Sequence, residues 1–152
     1  MLCNLFPQGA LPKSWVNHPS HEIFGHVPEM KHRGDTLQGG PIRLVAGNYG
    51  NRGYGARHIL EKHGNTLVTR GFGVGINGVI LYIAGVIKPR TPIFCEFDQI
   101  GQNQKVAVVR RSTGTVVLGL MHTQDGSPYY AVLTAFDRRQ GSGTIVGITL
   151  AP

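Results

Sequence analysis

Apolar residues are sparse over the first forty positions, and Pro7, Pro12, Pro19 and Pro28 interrupt them. That stretch predicts irregular chain, with a short helix starting at Pro19-Ser20 and stopping before Pro28. The pattern changes after Gly39-Gly40, where Pro41-Ile-Arg-Leu-Val45 alternates like a short strand. Residues 47–55 hold four glycines in nine positions and read as a loop. Residues 56–63 then read as a helix. Ala56, Ile59, Leu60 and His63 share one face, and Gly64 supplies a C-cap. Beyond Gly71 apolar runs alternate with turn residues, which predicts antiparallel strands over 79–87, 93–97, 105–111, 115–121, 129–136 and 144–149. Turns fall at 88–92, 101–104, 112–114, 125–126 and 137–143.

Helices first and strands second predict one α+β domain: N-terminal helices packed on a C-terminal antiparallel β-sheet meander. Residues 39–152 form that domain, and residues 1–38 are an irregular N-terminal extension. No internal repeat is visible.

Composition narrows the function. At 152 residues and 41% apolar, the chain can build one core. Charged residues make up 15%, well below the usual share of about 25%, yet 15 Lys+Arg stand against 8 Asp+Glu, a formal +7. Ten of the basic residues are arginine, whose forked guanidinium binds phosphate bidentately. The balance favours an anionic partner: nucleic acid, an acidic protein or an anionic membrane. The charge is spread evenly, so any anion site must be assembled by folding. The composition excludes a coiled coil, and Cys3 and Cys95 are too few for a disulfide scaffold or a four-cysteine zinc site. Residues 1–12 show no signal-peptide pattern. The longest uncharged stretch, 71–87, is shorter than the ~18–20 residues of a membrane span and carries five glycines, so no membrane anchor is expected.

The densest chemistry lies over residues 50–64. His58 and Lys62 are four apart and share a helix face, while His63 is rotated about 140° from His58. One substrate would meet both histidines only near the helix end. This set suits RNA cleavage by attack of a 2′-OH on the adjacent phosphate. Histidine can act as acid or base near neutral pH, and Lys62 or Arg57 supplies positive charge for the phosphorane. No metal or other cofactor is needed. The plainer reading is a solvated helix face with His63 near the helix C-terminus. A second group, His18, His21, Glu22, His26 and His32, lacks the four-residue histidine spacing of a zinc protease and reads as a pH-sensitive surface, with zinc a lesser option. Strict alternation puts Tyr130, Val132, Thr134 and Phe136 on one strand face; if that face meets the helix end, it brings a phenol and a hydroxyl towards a phosphate. Arg110-Arg111 and Arg138-Arg139 flank turns and could track a phosphate backbone, with Thr144 close behind.

Together, Pro41-Ile-Arg-Leu44, the glycine-rich loop, Gly53-Tyr-Gly-Ala-Arg-His58-Ile-Leu-Glu-Lys-His63-Gly and a meander ending in Tyr130-Ala-Val-Leu-Thr134-Ala-Phe resemble the barnase/EndoU/colicin/RelE (BECR) superfamily. The likeness spans about residues 40–150 and is nearest to the toxin nuclease domains of phage-associated and contact-dependent-inhibition systems. It implies a BECR-like fold and a metal-independent RNase, often acting on tRNA. It also implies an acidic immunity protein as partner and delivery to act in a target-cell cytoplasm. His58 and His63 match the family's helix histidines, and Thr134 its strand hydroxyl. Lys62, Tyr130, Arg57, Arg111, Arg139 and Thr144 are further candidates. An EndoU-type lysine lies beyond both histidines, where this chain has only Arg70, Lys88 and Arg90 before mid-sheet. The sequence leaves open which histidine is acid and which is base. Rival readings are a non-catalytic nucleic-acid-binding domain and a phage-particle structural module.

Overall fold

The computed structural model describes residues 15–50, 52–96 and 105–152. Cys3, the expected turn at 101–104 and the last residue of the strand expected over 93–97 lie outside them. Four short strands come first: β1 Trp15–Val16, β2 Gly25–Val27, β3 Met30–His32 and β4 Asp35–Leu37. β5 spans Gly40–Val45. Helices α1, Gly55–Thr69, and α2, Gly75–Val86, follow. The remaining strands are β6 Pro92–Cys95, β7 Lys105–Arg110, β8 Gly114–His122, β9 Pro128–Phe136 and β10 Thr144–Ile148.

The protein is α+β, but its sheet is mixed rather than a simple meander. The strand order is β1-β5-β9-β8-β7-β6-β10, with β2 also on β5 and β3-β4 forming a separate hairpin. β5 runs parallel to β9, and every other pairing is antiparallel. The helices therefore do not precede the sheet; they connect β5 to its later strands. β1 and β2, in the stretch expected to be irregular, pair with β5. The helix expected between Pro19 and Pro28 is absent, and β2 occupies part of that span. His26 and Leu150 exchange backbone hydrogen bonds of 3.0 and 2.9 Å, so the far end of the strand path returns to β2.

Two local signals compete in α1. Gly64 is a natural stop, yet the helix runs on to Thr69. An interior glycine costs about 1 kcal/mol relative to alanine. Leu67, 3% exposed, joins the core, and burying a leucine contributes about 1.5–3 kcal/mol. Burial of Leu67 therefore outweighs the glycine penalty. Just past the C-cap Arg70, Gly71 has a φ of +85°, which suits a residue without Cβ. There Phe72 N–H donates to Leu67 O and Gly71 N–H to Val68 O, closing the two bonds of a Schellman cap.

The segment expected as a strand over 79–87 is mostly α2. Its β-branched residues favour a strand locally, but Ile76, Val79, Ile80, Ile83 and Val86 follow a helical repeat and all contact the core. Both helices pack on one face of the sheet, with Ile42, Leu44, Val106, Val108, Val116, Leu118, Tyr130, Val132 and Ala135. The opposite face carries a smaller cluster of Val45, Tyr54, Val117, Met121, Tyr129, Ala131 and Leu133. Among the described residues no helix is long and apolar enough to cross a membrane.

Candidate functional site

A β-bulge decides which strand side chains can meet the helix histidines. Leu118 pairs with Val132, but Val117 pairs with Thr134, so Leu133 is an extra residue on β9. The bulge shifts the alternation by one. Tyr130 and Val132 belong to the helix-covered core. Thr134 pairs with Val117 on the other face, where Phe136 also packs. Tyr130 and Thr134 therefore do not share a face, contrary to strict alternation. Tyr130 is fully buried, donates its hydroxyl to Gln38 O at 2.6 Å, and has its pKa pushed up to about 12 by burial. Its ring packs in the core beneath the helices.

Half-buried Phe136 marks where α1 meets the second face of the sheet. Its ring centroid lies 6.5 Å from that of His63. The α1 end is fixed there by Arg70, which donates to Thr113 O and to Asp137 Oδ1 at 2.6 Å. Burial lowers the His63 pKa, and the positive charges of His58 and Lys62 lower it further. Both causes favour the neutral imidazole, the form a general base requires. The charges of His58 and Lys62 thus reach His63 along α1, despite the rotation between His58 and His63. His58 Nδ1 is buried without a hydrogen-bond partner.

Beyond Phe136, Arg138 lies over the same ring at 5.3 Å. It grips Glu96 through bonds of 2.6 and 2.7 Å to the two carboxylate oxygens. Burial pushes the Glu96 carboxyl up. The Arg138 bonds and the Ser142 N–H, 2.8 Å away, outweigh this and hold it below its ordinary value.

Past the buried Thr115, whose hydroxyl donates to Arg138 O, lies a second feature. Phe136 pairs with Thr115, and Thr115 with Val109. Val109 lines a cavity of about 780 Å³ together with Arg90, Arg110, Arg111 and Arg139. Phe94 and Ile145, paired across β6 and β10, form its apolar wall. Arg90 has φ +67°, a conformation that costs a non-glycine residue on the order of 1 kcal/mol.

Arg111 and Arg139 thus come together, apart from the histidines by a short stretch of sheet. Arg57 does not join them: its guanidinium donates to Gly47 O at 3.3 Å, bracing the turn into α1. Thr144 is exposed at the start of β10, opposite Cys95, next to the cavity wall rather than in it. Sequence reasoning does not single out Arg90, Glu96 or the role of Phe136. Only Arg90 carries a sequence signal, an arginine held in a turn between Pro89 and Pro92.

The N-terminal histidines form a different surface. His18 and His21 stack with centroids 5.8 Å apart, and His26 Nδ1 meets Ala151 O at 2.8 Å. Among the described residues no three His, Cys, Asp or Glu side chains converge to hold a metal ion. No known protein family, curated protein or solved structure matches this chain.

Proposed function

We propose that this chain is a BECR-like endoribonuclease that cuts RNA through its histidines, without a metal in the chemistry. The observation that carries the reading is the placement of His63: its ring lies 6.5 Å from that of Phe136, next to Lys62 on α1, with burial favouring the neutral imidazole and an arginine-lined cavity nearby.

His63 takes the proton of the ribose 2′-OH, and O2′ attacks the adjacent phosphorus. Lys62 offsets the negative charge gathering on the phosphorane oxygens. The P–O5′ bond breaks as O5′ receives a proton from His58 or Lys62. The products are a 2′,3′-cyclic phosphate and a 5′-hydroxyl. Thr134, on the same face as Phe136, offers a hydroxyl to the phosphate, and Phe136 offers a ring on which a base can stack. The BECR resemblance adds tRNA as the substrate, an acidic immunity protein as the inhibitor, and a toxin delivered into a target-cell cytoplasm as the setting.

The test is incubation with total tRNA in EDTA beside His58→Ala and His63→Ala. The expected result is cleavage by the parent chain, 2′,3′-cyclic phosphate ends, and a loss of at least about a hundredfold in His63→Ala, in line with general-base catalysis at roughly 10²–10⁴-fold. Cleavage unchanged in both variants, or dependent on added divalent metal, removes the mechanism. Salt-sensitive binding without scission favours a nucleic-acid-binding domain instead.

A further inference from the structure

The arginine-lined cavity is not explained by the chemistry at His63. Among the described residues, Arg90, Arg110 and Arg111 meet no carboxylate; the one side-chain bond among them is Arg110 Nη1 to Thr91 Oγ1 at 3.3 Å. Arg139 does face Asp137, at 3.6 Å, but that carboxylate is held more closely by Arg70 at 2.6 Å. Several guanidinium groups gathered in one concavity repel each other unless an anion sits among them. Their fork geometry suits phosphate. Arg90 is held in the left-handed region at the rim, its N–H bonded to Thr149 O at 2.8 Å, so the chain tolerates backbone strain to place an arginine there.

Position identifies the kind of phosphate. Phe136, Thr115 and Val109 form one cross-strand row. At 4.7–4.9 Å per strand the cavity floor lies about 10 Å from Phe136. Thr115 is fully buried and donates its hydroxyl to Arg138 O, so a single strand with its reacting phosphate at His63 would pass over the Arg138–Arg139 segment and reach the cavity within a few nucleotides. Phe94 and the exposed Ile145 give that chain an apolar wall for sugar or base.

We propose that Arg90, Arg110, Arg111 and Arg139 form a distal site that grips consecutive backbone phosphates of the RNA strand cut at His63, anchoring it without reading its sequence. This rests on the nuclease reading above. The same chemistry would also suit a free polyphosphate, so the experiment separates the two.

The probe is a fluorescent 2′-O-methyl oligonucleotide of about ten residues, which cannot be cleaved, titrated by anisotropy at several salt concentrations. Proteins are the parent chain, Arg111→Gln, Arg139→Gln, the double variant Arg110→Gln/Arg111→Gln, and His63→Ala. Circular dichroism melts check that each is folded. Each lost phosphate contact should lower the slope of log affinity against log salt by about 0.7 for a single strand. The double variant should bind at least tenfold more weakly, and His63→Ala should bind as the parent does. In the cleavage assay the arginine variants should lose activity on long RNA and keep it on a dinucleotide. Affinity and slope unchanged in folded arginine variants would overturn the proposal. So would inorganic triphosphate binding tightly without displacing the oligonucleotide. Arginine-dependent binding by a chain that does not cut RNA would keep the anchoring site and remove only the catalytic reading.

Discussion

The His63 and Phe136 rings stand 6.5 Å apart and are tilted by 50°, so a residue of α1 and the last residue of β9 border one surface. If Phe136 is the stacking platform, its ring matters more than its hydrophobicity. Phe136→Leu should lower kcat/KM roughly tenfold, within the range of about 1–3 kcal/mol for one base–aromatic stack. Phe136→Trp should restore most of the rate. A leucine variant as active as the parent would remove Phe136 from the site.

The depressed His63 pKa gives the pH profile a direction. Activity needs the neutral base, so the acid limb of kcat/KM should fall below the ordinary histidine value of about 6.5. Lys62→Gln removes one positive neighbour and should move the His63 titration, read by NMR, back towards that value. Burial, the main cause, remains, so the shift should be partial. The stability sign follows. Above about pH 6.5 His63 is neutral in both folded and unfolded chains and contributes no dependence. Below it the unfolded chain takes up the proton first, so stability falls until pH passes the folded pKa. His63→Gln should flatten that part of the melting-temperature profile.

The bulge at Leu133 separates two hydroxyls that strict alternation would put together. Tyr130→Phe removes the bond to Gln38 O and should cost about 1 kcal/mol of stability with no change in kcat. Thr134→Val, half-buried on the face of Phe136, should do the reverse: little loss of stability and a measurable loss of rate. Equal effects on rate would mean that the two residues act on the same side after all.

Glu96 and Arg138 pin the chain just after β9. Glu96 is 7% exposed and Arg138 37%, so the pair is screened on one side only. Glu96→Gln should destabilise the fold by about 1–2 kcal/mol, at the low end for bonds to charged groups because Arg138 stays partly solvated. The folded Glu96 pKa is lowered. Its contribution is therefore full above the unfolded carboxyl value of about 4.3 and is lost as pH falls through the folded value. The variant should lose that acid-side dependence in urea melts.

Gly114 tests the packing behind the site. A Cβ there would collide with the Tyr82 hydroxyl and sit 2.8 Å from Phe136 O, and Tyr82 itself donates to Phe136 O at 2.8 Å. Gly114→Ala should cost about 2–3 kcal/mol as overpacking, a fall of roughly 5–10 °C in Tm. Tyr82→Phe, losing one hydrogen bond, should cost about 1 kcal/mol.

The later strands are legible in the sequence because alternation and turn residues agree from β6 to β10. α2 reads as a strand because valine and isoleucine favour strands locally, and a short apolar run does not reveal its period until burial selects one. The end of α1 is ambiguous because two glycines compete, and only the packing of Leu67 distinguishes them. The bulge leaves no mark on β9 itself; its alternation breaks only against β8. His58, Lys62 and His63 can be found because their chemistry is concentrated within six residues. The arginine cavity cannot, because Arg90, Arg110 and Arg139 are brought together by three separate turns.

The bonds between His26 and Leu150 have a consequence for behaviour at high concentration. A long sheet normally ends in bare backbone that can recruit a strand from another molecule. Here the tail of β10 is tied back to β2, so that templating edge is partly withdrawn. Loosening this seam would expose it again, and the first sign should be self-association rather than loss of helix.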